Sequence, residues 1–170
     1  MIHIYTGEGK GKTTAALGLA LRALGAQKRV AIIQFMKKGD SSEIKAIKKH
    51  KLPIDVFTFG IGFFKILGDN KPPEKHKQAT QKGLKKARQI IEKGDFDLII
   101  LDEINVALDY NLIIFEEVVE IIKLNKKAEL ILTGRNAPSK LIKIADLVSV
   151  IQKNKHYFDT GVKARKGIEF

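Results

Sequence analysis

The sequence predicts an α/β fold in which a mostly parallel sheet of about six strands carries helices on both faces. Short apolar runs of strand length alternate with longer runs of helical period along the 170 residues. The strand-like runs contain few polar residues, which is typical of strands buried on both faces. The glycine-rich segment "YTGEGKGKTT" (5–14) joins the first strand to the first helix. In nucleotide-binding α/β proteins, a phosphate-binding loop lies between a strand and the helix that follows it.

Each predicted strand is a short run of β-branched and other apolar residues, bounded by polar residues or glycine. The six strands are predicted at residues 2–6, 30–36, 54–59, 96–103, 128–134 and 147–153. No internal repeat or linker interrupts them. We expect residues 1–170 to form a single P-loop nucleotide-binding domain with the C-terminal tail packed on it.

Five helices are predicted between these strands from apolar spacing and from start and stop residues. They are a first helix ended by Gly25, a lysine-rich helix to about His50, a third from Pro72 and Pro73 to Gly94, a fourth over 112–124 and a short one over 139–145. The predicted inward residues are Leu17, Leu21 and Leu24 in the first helix, Ala79, Leu84, Ala87 and Ile91 in the third, and Phe115, Val118, Val119 and Ile122 in the fourth.

The chain is basic: 31 Lys and Arg against 19 Asp and Glu leave a net charge of +12. The lysines are scattered along the chain, so we interpret them as solvated helix faces and loops and expect neither a nucleic-acid nor a membrane partner. The absence of cysteine excludes disulfides and thiol catalysis. No apolar run approaches the roughly 20 residues of a membrane span. Residue 2 already begins a strand, so we expect no signal peptide and a cytoplasmic protein.

The glycine-rich segment is a variant of the phosphate-loop pattern G-x-x-x-x-G-K-[ST]. Its end, Gly11, Lys12 and Thr13, matches, but Thr6 stands where the first glycine belongs. Gly7 and Gly9 supply the missing flexibility, so that backbone N–H groups can converge on an anion at a helix N-terminus. Lys12 adds a positive charge and the Thr13 hydroxyl can ligate Mg²⁺. Glu8 is expected to point outward, or towards a ribose or a partner.

Asp102 and Glu103 close the apolar stretch "LIIL" (98–101) at the carboxyl end of a strand. In phosphate-loop proteins acids at this position lie near Mg²⁺. Two functions remain open at this point. In one, Glu103 polarises a water molecule and the protein is an ATPase or motor. In the other, the protein transfers part of the nucleotide to a second substrate.

Five stretches together resemble the ATP:corrinoid adenosyltransferases of the CobA type, from about Ile4 to Phe170 and least between residues 40 and 94. They are "YTGEGKGKTTAALGLALRA" (5–23), "AIIQFMKKG" (31–39), "LIILDEINVAL" (98–108), "ILTGRNAP" (131–138) and "KHYFDTGVKARKGIEF" (155–170). The resemblance implies a RecA-like fold, a homodimer, and the use of ATP with Mg²⁺ or Mn²⁺. It also implies a corrinoid substrate reduced by a flavin-type reductase. The reaction moves the 5′-deoxyadenosyl group of ATP to Co(I) and releases triphosphate, with ATP reversed in the loop.

The resemblance also assigns site residues, residue by residue. Lys12, Thr13 and Glu103 are catalytic, and Thr13, Glu103 and Asp102 bind metal. The nucleotide site is formed by Gly7, Glu8, Gly9, Lys10, Gly11, Lys12, Thr13, Thr14 and Arg135. Phe63 and Phe64 are expected to face the corrinoid, although Lys65 stands where the family often has tryptophan.

Because Co(I) is itself a strong nucleophile, the reaction requires a stabilised leaving group more than a general base. The alternative function is a RecA-like ATPase or nucleotide-dependent regulator acting on nucleic acid. Some members carry an N-terminal helical extension over the corrinoid; here we expect a more open site, or one closed by a partner subunit. The tail from Asn154 is expected to be anchored over the carboxyl edge of the sheet by Phe158, Val162, Ile168 and Phe170.

Overall fold

The computed structural model of the protein describes residues 1–62, 64 and 70–169. Within them, six parallel strands form one sheet in the order β3-β2-β4-β5-β1-β6. The strands are β1 (Ile2–Thr6), β2 (Val30–Gln34), β3 (Ile54–Thr58), β4 (Leu98–Asp102), β5 (Glu129–Thr133) and β6 (Leu147–Val150). The predicted α/β sheet of six strands is confirmed, and all described strand pairs are parallel.

Helices cover both faces of the sheet and create two apolar layers. They are α1 (Lys12–Gly25), α2 (Ser42–Lys49), α3 (Pro73–Lys93), α4 (Ile104–Asp109), α5 (Phe115–Leu124) and α6 (Ser139–Ile144). Successive strand residues point to opposite faces, so Ile33 packs towards α3 and α5 while Ile32 packs towards α1 and α2. Among the described helices none is long and apolar enough to cross a bilayer.

Helix α1 meets the sheet through alanine and not through leucine. Ala16 and Ala20 are fully buried, whereas Leu21 is 63% exposed. Leu17 and Leu24 are only partly buried. The prediction that Leu21 points inward is wrong, because the alanines at positions i and i+4 allow the helix backbone to approach the central strands more closely than leucines would.

The inward faces predicted for α3 and α5 are largely confirmed. Leu84, Ala87, Ile91 and Val118 are buried. Partial burial is found at Ala79, Phe115, Val119 and Ile122. Helix α3 ends at Gly94, whose left-handed backbone (φ 67°) suits glycine.

Helix α4 was not predicted, because six residues are too few to display a helical period. It begins directly after Glu103 and buries Ile104 and Asn105 completely. Helix α5 in turn starts at Phe115 and not near residue 112. The Glu117 carboxylate accepts a hydrogen bond from the Ile114 backbone N–H over 3.0 Å, which fixes the first turn there.

Strand β6 is an edge strand that ends at Val150, three residues earlier than predicted. The tail beyond it contains one 3₁₀ turn, Tyr157–Thr160. The predicted apolar anchoring of the tail is wrong for its described residues, since Phe158, Val162 and Ile168 are all exposed. Phe170 lies outside the described residues. Polar contacts hold the tail instead, because its described residues form a single 3₁₀ turn and no longer helix or strand that would align their apolar side chains on one face.

Candidate nucleotide-binding site

The phosphate loop connects β1 to α1 and requires glycine at two points for steric reasons. Gly7 has a φ of 99°, and a Cβ atom there would lie 2.5 Å from the Ile151 carbonyl oxygen. A Cβ atom on Gly9 would lie 2.6 Å from the Gln152 oxygen. The Gly9 N–H donates to the Ile151 oxygen over 2.7 Å. The loop is therefore pressed against the segment that follows β6.

Lys12 is the first residue of α1, and its ammonium group lies inside the loop. Nζ donates to the carbonyl oxygens of Gly7 and Gly9 over 2.7 and 2.8 Å. Gly11, with a φ of 123°, caps the helix. Burial and the nearby Arg135 charge lower the pKa of Lys12. The N-terminus of α1 and the Lys12 ammonium group thus meet at one point, which is suited to an anion.

Lys10, also in the loop, is held by the C-terminal tail. Its Nζ lies 3.0 Å from the Tyr157 hydroxyl and 3.2 Å from Glu169 Oε1. Tyr157 donates to the same carboxylate, and the Arg165 guanidinium lies 4.8 Å from the Tyr157 ring centre. These donors lower the pKa of Glu169 to about 2, with the Tyr157 hydrogen bond as the largest cause. We call Lys10, Tyr157, Arg165 and Glu169 the tail clasp.

Glu8 and Arg135 face each other at the exposed rim of the loop. The Arg135 Nε atom lies 3.5 Å from Glu8 Oε2, and each side chain is more than half exposed. Glu8 points outward as predicted, and the positive charge of Arg135 pairs with its carboxylate. Thr14 is exposed on the first turn of α1. These groups are free to rearrange around a bound nucleotide because solvent screens their contacts.

Asp102, at the end of β4, is the centre of a buried hydrogen-bond network. Its side chain is 1% exposed. The Oδ1 atom accepts from the hydroxyls of Thr13 (2.8 Å) and Thr133 (2.7 Å). The Oδ2 atom accepts from Gln34 Nε2 (3.0 Å) and Lys37 Nζ (2.7 Å). Burial would raise the pKa of Asp102, but the Lys37 charge and these donors hold it below its usual range.

Glu103 follows with a left-handed backbone, φ 68°, and its N–H donates to Thr133 Oγ1 over 3.0 Å. Burial and the adjacent Asp102 charge raise the pKa of Glu103. Among the described residues its carboxylate accepts no hydrogen bond, and Lys37 Nζ is 3.7 Å from Oε1. Glu103 is therefore the acid of this pair whose oxygens are available to a ligand.

Lys37 lies beyond the end of β2 and reaches into this acidic pair. Besides Asp102 and Glu103, its Nζ contacts Thr13 Oγ1 at 3.0 Å. Burial lowers its pKa, but the two carboxylates outweigh that effect, so the pKa of Lys37 is raised and its ammonium form is stabilised. The Lys37 ammonium group thus lies among side-chain oxygens of Thr13, Asp102 and Glu103.

The oxygens of Thr13, Asp102 and Glu103 fit a hard divalent cation such as Mg²⁺ or Mn²⁺. In the described part of the chain, no group of three or more His, Cys, Asp or Glu residues gathers to hold a metal. An ion here would take only one or two protein ligands and complete its shell with water and phosphate, which is how proteins commonly bind Mg²⁺ with nucleotides.

Of the two phenylalanines predicted to face the corrinoid, one is described by the structure, and its side chain is buried. Phe63 lies outside the described residues. Phe64 is buried, with its ring centre 4.9 Å from that of His76 and 5.5 Å from that of Tyr110. A ligand face at Phe64 would require this ring to leave the core, so the side chain as it stands packs inward and does not present a surface.

Sequence reasoning overlooked Gln34, Lys37 and Thr133. All three lie at the carboxyl ends of strands next to β4, where they meet Asp102. The signal was their position: Gln34 and Thr133 are the polar last residues of largely apolar strands, and Lys37 follows an apolar run. The strand order that makes them neighbours is not written in the sequence.

Comparison with known proteins identifies the family. The model of the family described as ATP:corrinoid adenosyltransferase BtuR/CobO/CobP matches residues 1–170. The chain belongs to this family. Among curated relatives, the corrinoid adenosyltransferase of Sinorhizobium sp is 36% identical over 174 residues, covering 100% of this chain and 80% of that protein. The Escherichia coli K12 corrinoid adenosyltransferase is 33% identical, covering 100% and 85%.

One solved structure extends the comparison to the fold. A KaiC-like protein from Pyrococcus horikoshii OT3 superposes with a TM-score of 0.54 at 14% identity, covering 91% of this chain and 73% of its own. At that identity the likeness concerns the fold alone. Together with the parallel sheet it supports the RecA-like P-loop architecture that this corrinoid adenosyltransferase family was expected to share.

Proposed function

We propose that the protein transfers the 5′-deoxyadenosyl group of ATP to the Co(I) centre of a reduced corrinoid and releases triphosphate, for adenosylcobalamin biosynthesis or salvage. The observation that carries this proposal is the family match, which extends over residues 1–170. The phosphate loop and the acidic pair beside it supply the nucleotide site that such a reaction needs.

In this reaction an electron pair of Co(I) attacks C5′ of ATP and forms the Co–C bond. The C5′–O bond breaks, and its electron pair leaves on the α-phosphate oxygen of triphosphate. The cobalt is formally oxidised to Co(III), and no proton has to be removed from the nucleophile. The protein's contribution is to orient C5′ and to stabilise the negative charge that develops on the leaving group.

Lys12 and the loop N–H groups are proposed to provide that stabilisation. In the ligand-free geometry Lys12 Nζ is held by two loop carbonyls. A triphosphate oxygen is a stronger acceptor than a carbonyl, because charge-assisted hydrogen bonds are the stronger ones. With ATP reversed in the loop, as the resemblance implies, C5′ points to the open side of the site and towards the corrinoid.

Thr13 and Glu103 are proposed as ligands of a divalent cation, Mg²⁺ or Mn²⁺, which when bound would neutralise triphosphate charge. Asp102 is proposed to position Thr13 and not to ligate directly, because both of its oxygens already accept two hydrogen bonds each. Gly7, Gly9, Gly11, Lys10 and Thr14 shape the nucleotide site in this proposal, and Arg135 contacts the nucleotide from the rim.

We further propose a homodimer that associates through the β6 edge. Eight of the twelve exposed large apolar residues of the described chain lie between Ile142 and Ile168. Val150, on the unpaired side of the sheet, is 58% exposed. An open edge strand with apolar side chains is a common association surface.

Use of ATP is in keeping with a cytoplasmic protein, and a flavin-type reductase would supply Co(I).

Product analysis tests the activity directly. The protein is incubated with ATP, Mg²⁺ and a chemically reduced corrinoid, and the nucleotide products and the corrinoid spectrum are measured. We expect triphosphate and a light-sensitive Co–C product in equal amounts. ADP and phosphate, formed without alkylated corrinoid and stimulated by DNA or RNA, would instead support a RecA-like ATPase acting on nucleic acid.

A further inference from the structure

Lys37 occupies the space between Thr13 and Glu103, the two residues that the proposed function assigns to a divalent cation, and also contacts Asp102. Its Nζ is 2.7 Å from Asp102 Oδ2, 3.0 Å from Thr13 Oγ1 and 3.7 Å from Glu103 Oε1. The Lys37 side chain is only 16% exposed. An ion that used Thr13 and Glu103 together would have to enter the space that Nζ now fills.

The hydrogen bonds at Thr13 show why Nζ and a metal ion exclude each other. The single hydroxyl proton is donated to Asp102 Oδ1, so the oxygen meets Lys37 with a lone pair. A metal ion also needs a lone pair of this oxygen, at about 2.1 Å. Two cations so close together at one oxygen would repel each other strongly in a partly buried site.

The charges at the site lead to the same conclusion. Two adjacent carboxylates with little exposure require a counter-charge, and Lys37 provides it. Lys37 therefore cancels one of the two negative charges without metal, so a free divalent ion gains less by entering than it would at an uncompensated acidic pair. A nucleotide changes this balance, because its triphosphate offers new ligands to the ion and a new anionic partner to the departing ammonium group.

We propose that Lys37 is the resident cation of the metal position and makes divalent-cation binding conditional on the nucleotide. Without ATP, Lys37 offsets one of the two negative charges of Asp102 and Glu103, fills the space between them and Thr13, and keeps divalent ions out. When ATP arrives with its cation, Lys37 leaves Thr13 and pairs with the triphosphate. This inference rests on the metal site of the proposed function and adds an order of binding to it.

The test measures Mn²⁺ binding to the ligand-free protein by electron paramagnetic resonance, in wild type and in Lys37→Met. The matched control is Lys38→Met, which removes the same charge from the exposed neighbouring residue. We expect Lys37→Met to bind Mn²⁺ at least about 10-fold more tightly than wild type without nucleotide. Lys38→Met should stay within about 2-fold, because its charge is solvated and screened.

Equal or weaker Mn²⁺ binding by Lys37→Met, relative to Lys38→Met, would overturn the proposal. A second readout is the melting temperature at increasing Mg²⁺ concentration. It should rise in Lys37→Met, where the ion replaces the lost charge, and stay nearly constant in wild type; equal responses would also count against the proposal. If Lys37→Met does not fold, Lys37→Gln, which keeps an N–H donor for Asp102, takes its place in both measurements.

Neither measurement involves a corrinoid or adenosyl transfer. A negative result would therefore remove the binding order and leave the proposed transferase activity untouched. Conversely, product analysis that found no Co–C product would refute the transferase activity, while the Mn²⁺ result would still describe this acidic site.

Discussion

The Thr13 hydroxyl donates to Asp102 Oδ1 over 2.8 Å and so ties the first turn of α1 to the end of β4. This bond joins the two motifs that the sequence presents 89 residues apart. It makes the position of the phosphate loop depend on a carboxylate that is itself almost completely buried.

Replacing Lys12 by alanine tests the leaving-group role. Lys12→Ala removes a preorganised positive charge from the loop, and we expect adenosyl transfer at saturating ATP to fall by roughly 10²–10³. The rate is measured by the appearance of the Co–C product. Lys127→Ala, which removes an exposed lysine just before β5, is the control. Turnover of Lys12→Ala close to that of the control would exclude Lys12 from the mechanism.

Replacing Asp102 by asparagine tests the buried network. The new amide side chain would offer one acceptor oxygen and two N–H donors to four surrounding donors, leaving Lys37 without its closest anion. We expect Asp102→Asn to lower the free energy of unfolding by about 3–5 kcal/mol in urea denaturation. Asp97→Asn, just before β4 at a half-buried carboxylate that accepts one hydrogen bond from the Arg29 backbone N–H, should cost no more than about 1 kcal/mol. Equal losses of unfolding free energy in Asp102→Asn and Asp97→Asn would show that the hydrogen bonds around Asp102 contribute no more to stability than the single hydrogen bond at Asp97.

A pair of glycine substitutions separates steric need from helix propensity. In Gly9→Ala the new Cβ would meet the Gln152 carbonyl oxygen at 2.6 Å, so the loop must shift and we expect weaker ATP binding by calorimetry. In Gly18→Ala, within α1, the Cβ meets no atom within 4 Å. That variant should be stabilised by about 0.5–1 kcal/mol with unchanged ATP affinity. Unchanged ATP affinity in Gly9→Ala would mean that the loop tolerates the contact.

The tail clasp gives a pH prediction. Glu169 has an ordinary pKa of 4.5 and a folded pKa of about 2. A depressed carboxyl pKa stabilises the clasp above about pH 4.5 and loses that effect as the pH falls towards 2. An NMR titration of the Glu169 carboxyl carbon should show the low midpoint. Tyr157→Phe removes the hydrogen bond that lowers the Glu169 pKa most, so the Glu169 midpoint should rise in this variant. An unchanged midpoint would exclude this hydrogen bond as the cause of the low pKa.

The proposed dimer is tested at the β6 edge. Val150→Glu places a charge on an exposed apolar edge strand, and we expect light scattering to show a shift from dimer to monomer at micromolar concentration. Leu52→Glu, which lies just before β3 at the opposite edge of the sheet, should remain dimeric. A wild-type protein that is monomeric and fully active would remove the dimer as a requirement.

The sequence was sufficient to predict the sheet, its parallel sense and the phosphate loop, because buried strands and glycine turns have strong local signals. It placed Thr13, Asp102 and Glu103 near one another because parallel strands share a carboxyl edge. It could not identify Lys37, since that assignment depends on β2 being next to β4. It also misjudged Leu21 and the tail, where the packing of small residues and polar contacts prevail over apolar spacing.

The sheet order has a consequence for synthesis. Strand β1, which carries the phosphate loop, is paired with β5 and β6 and not with β2, β3 or β4, which precede them in the chain. Its partners therefore emerge from the ribosome more than 120 residues after it, and Lys10 meets Glu169 only 159 residues later. Until then the apolar first strand has no neighbour to pair with. We therefore expect the phosphate loop to reach its final geometry, and to bind ATP, only when nearly the whole chain has been synthesised.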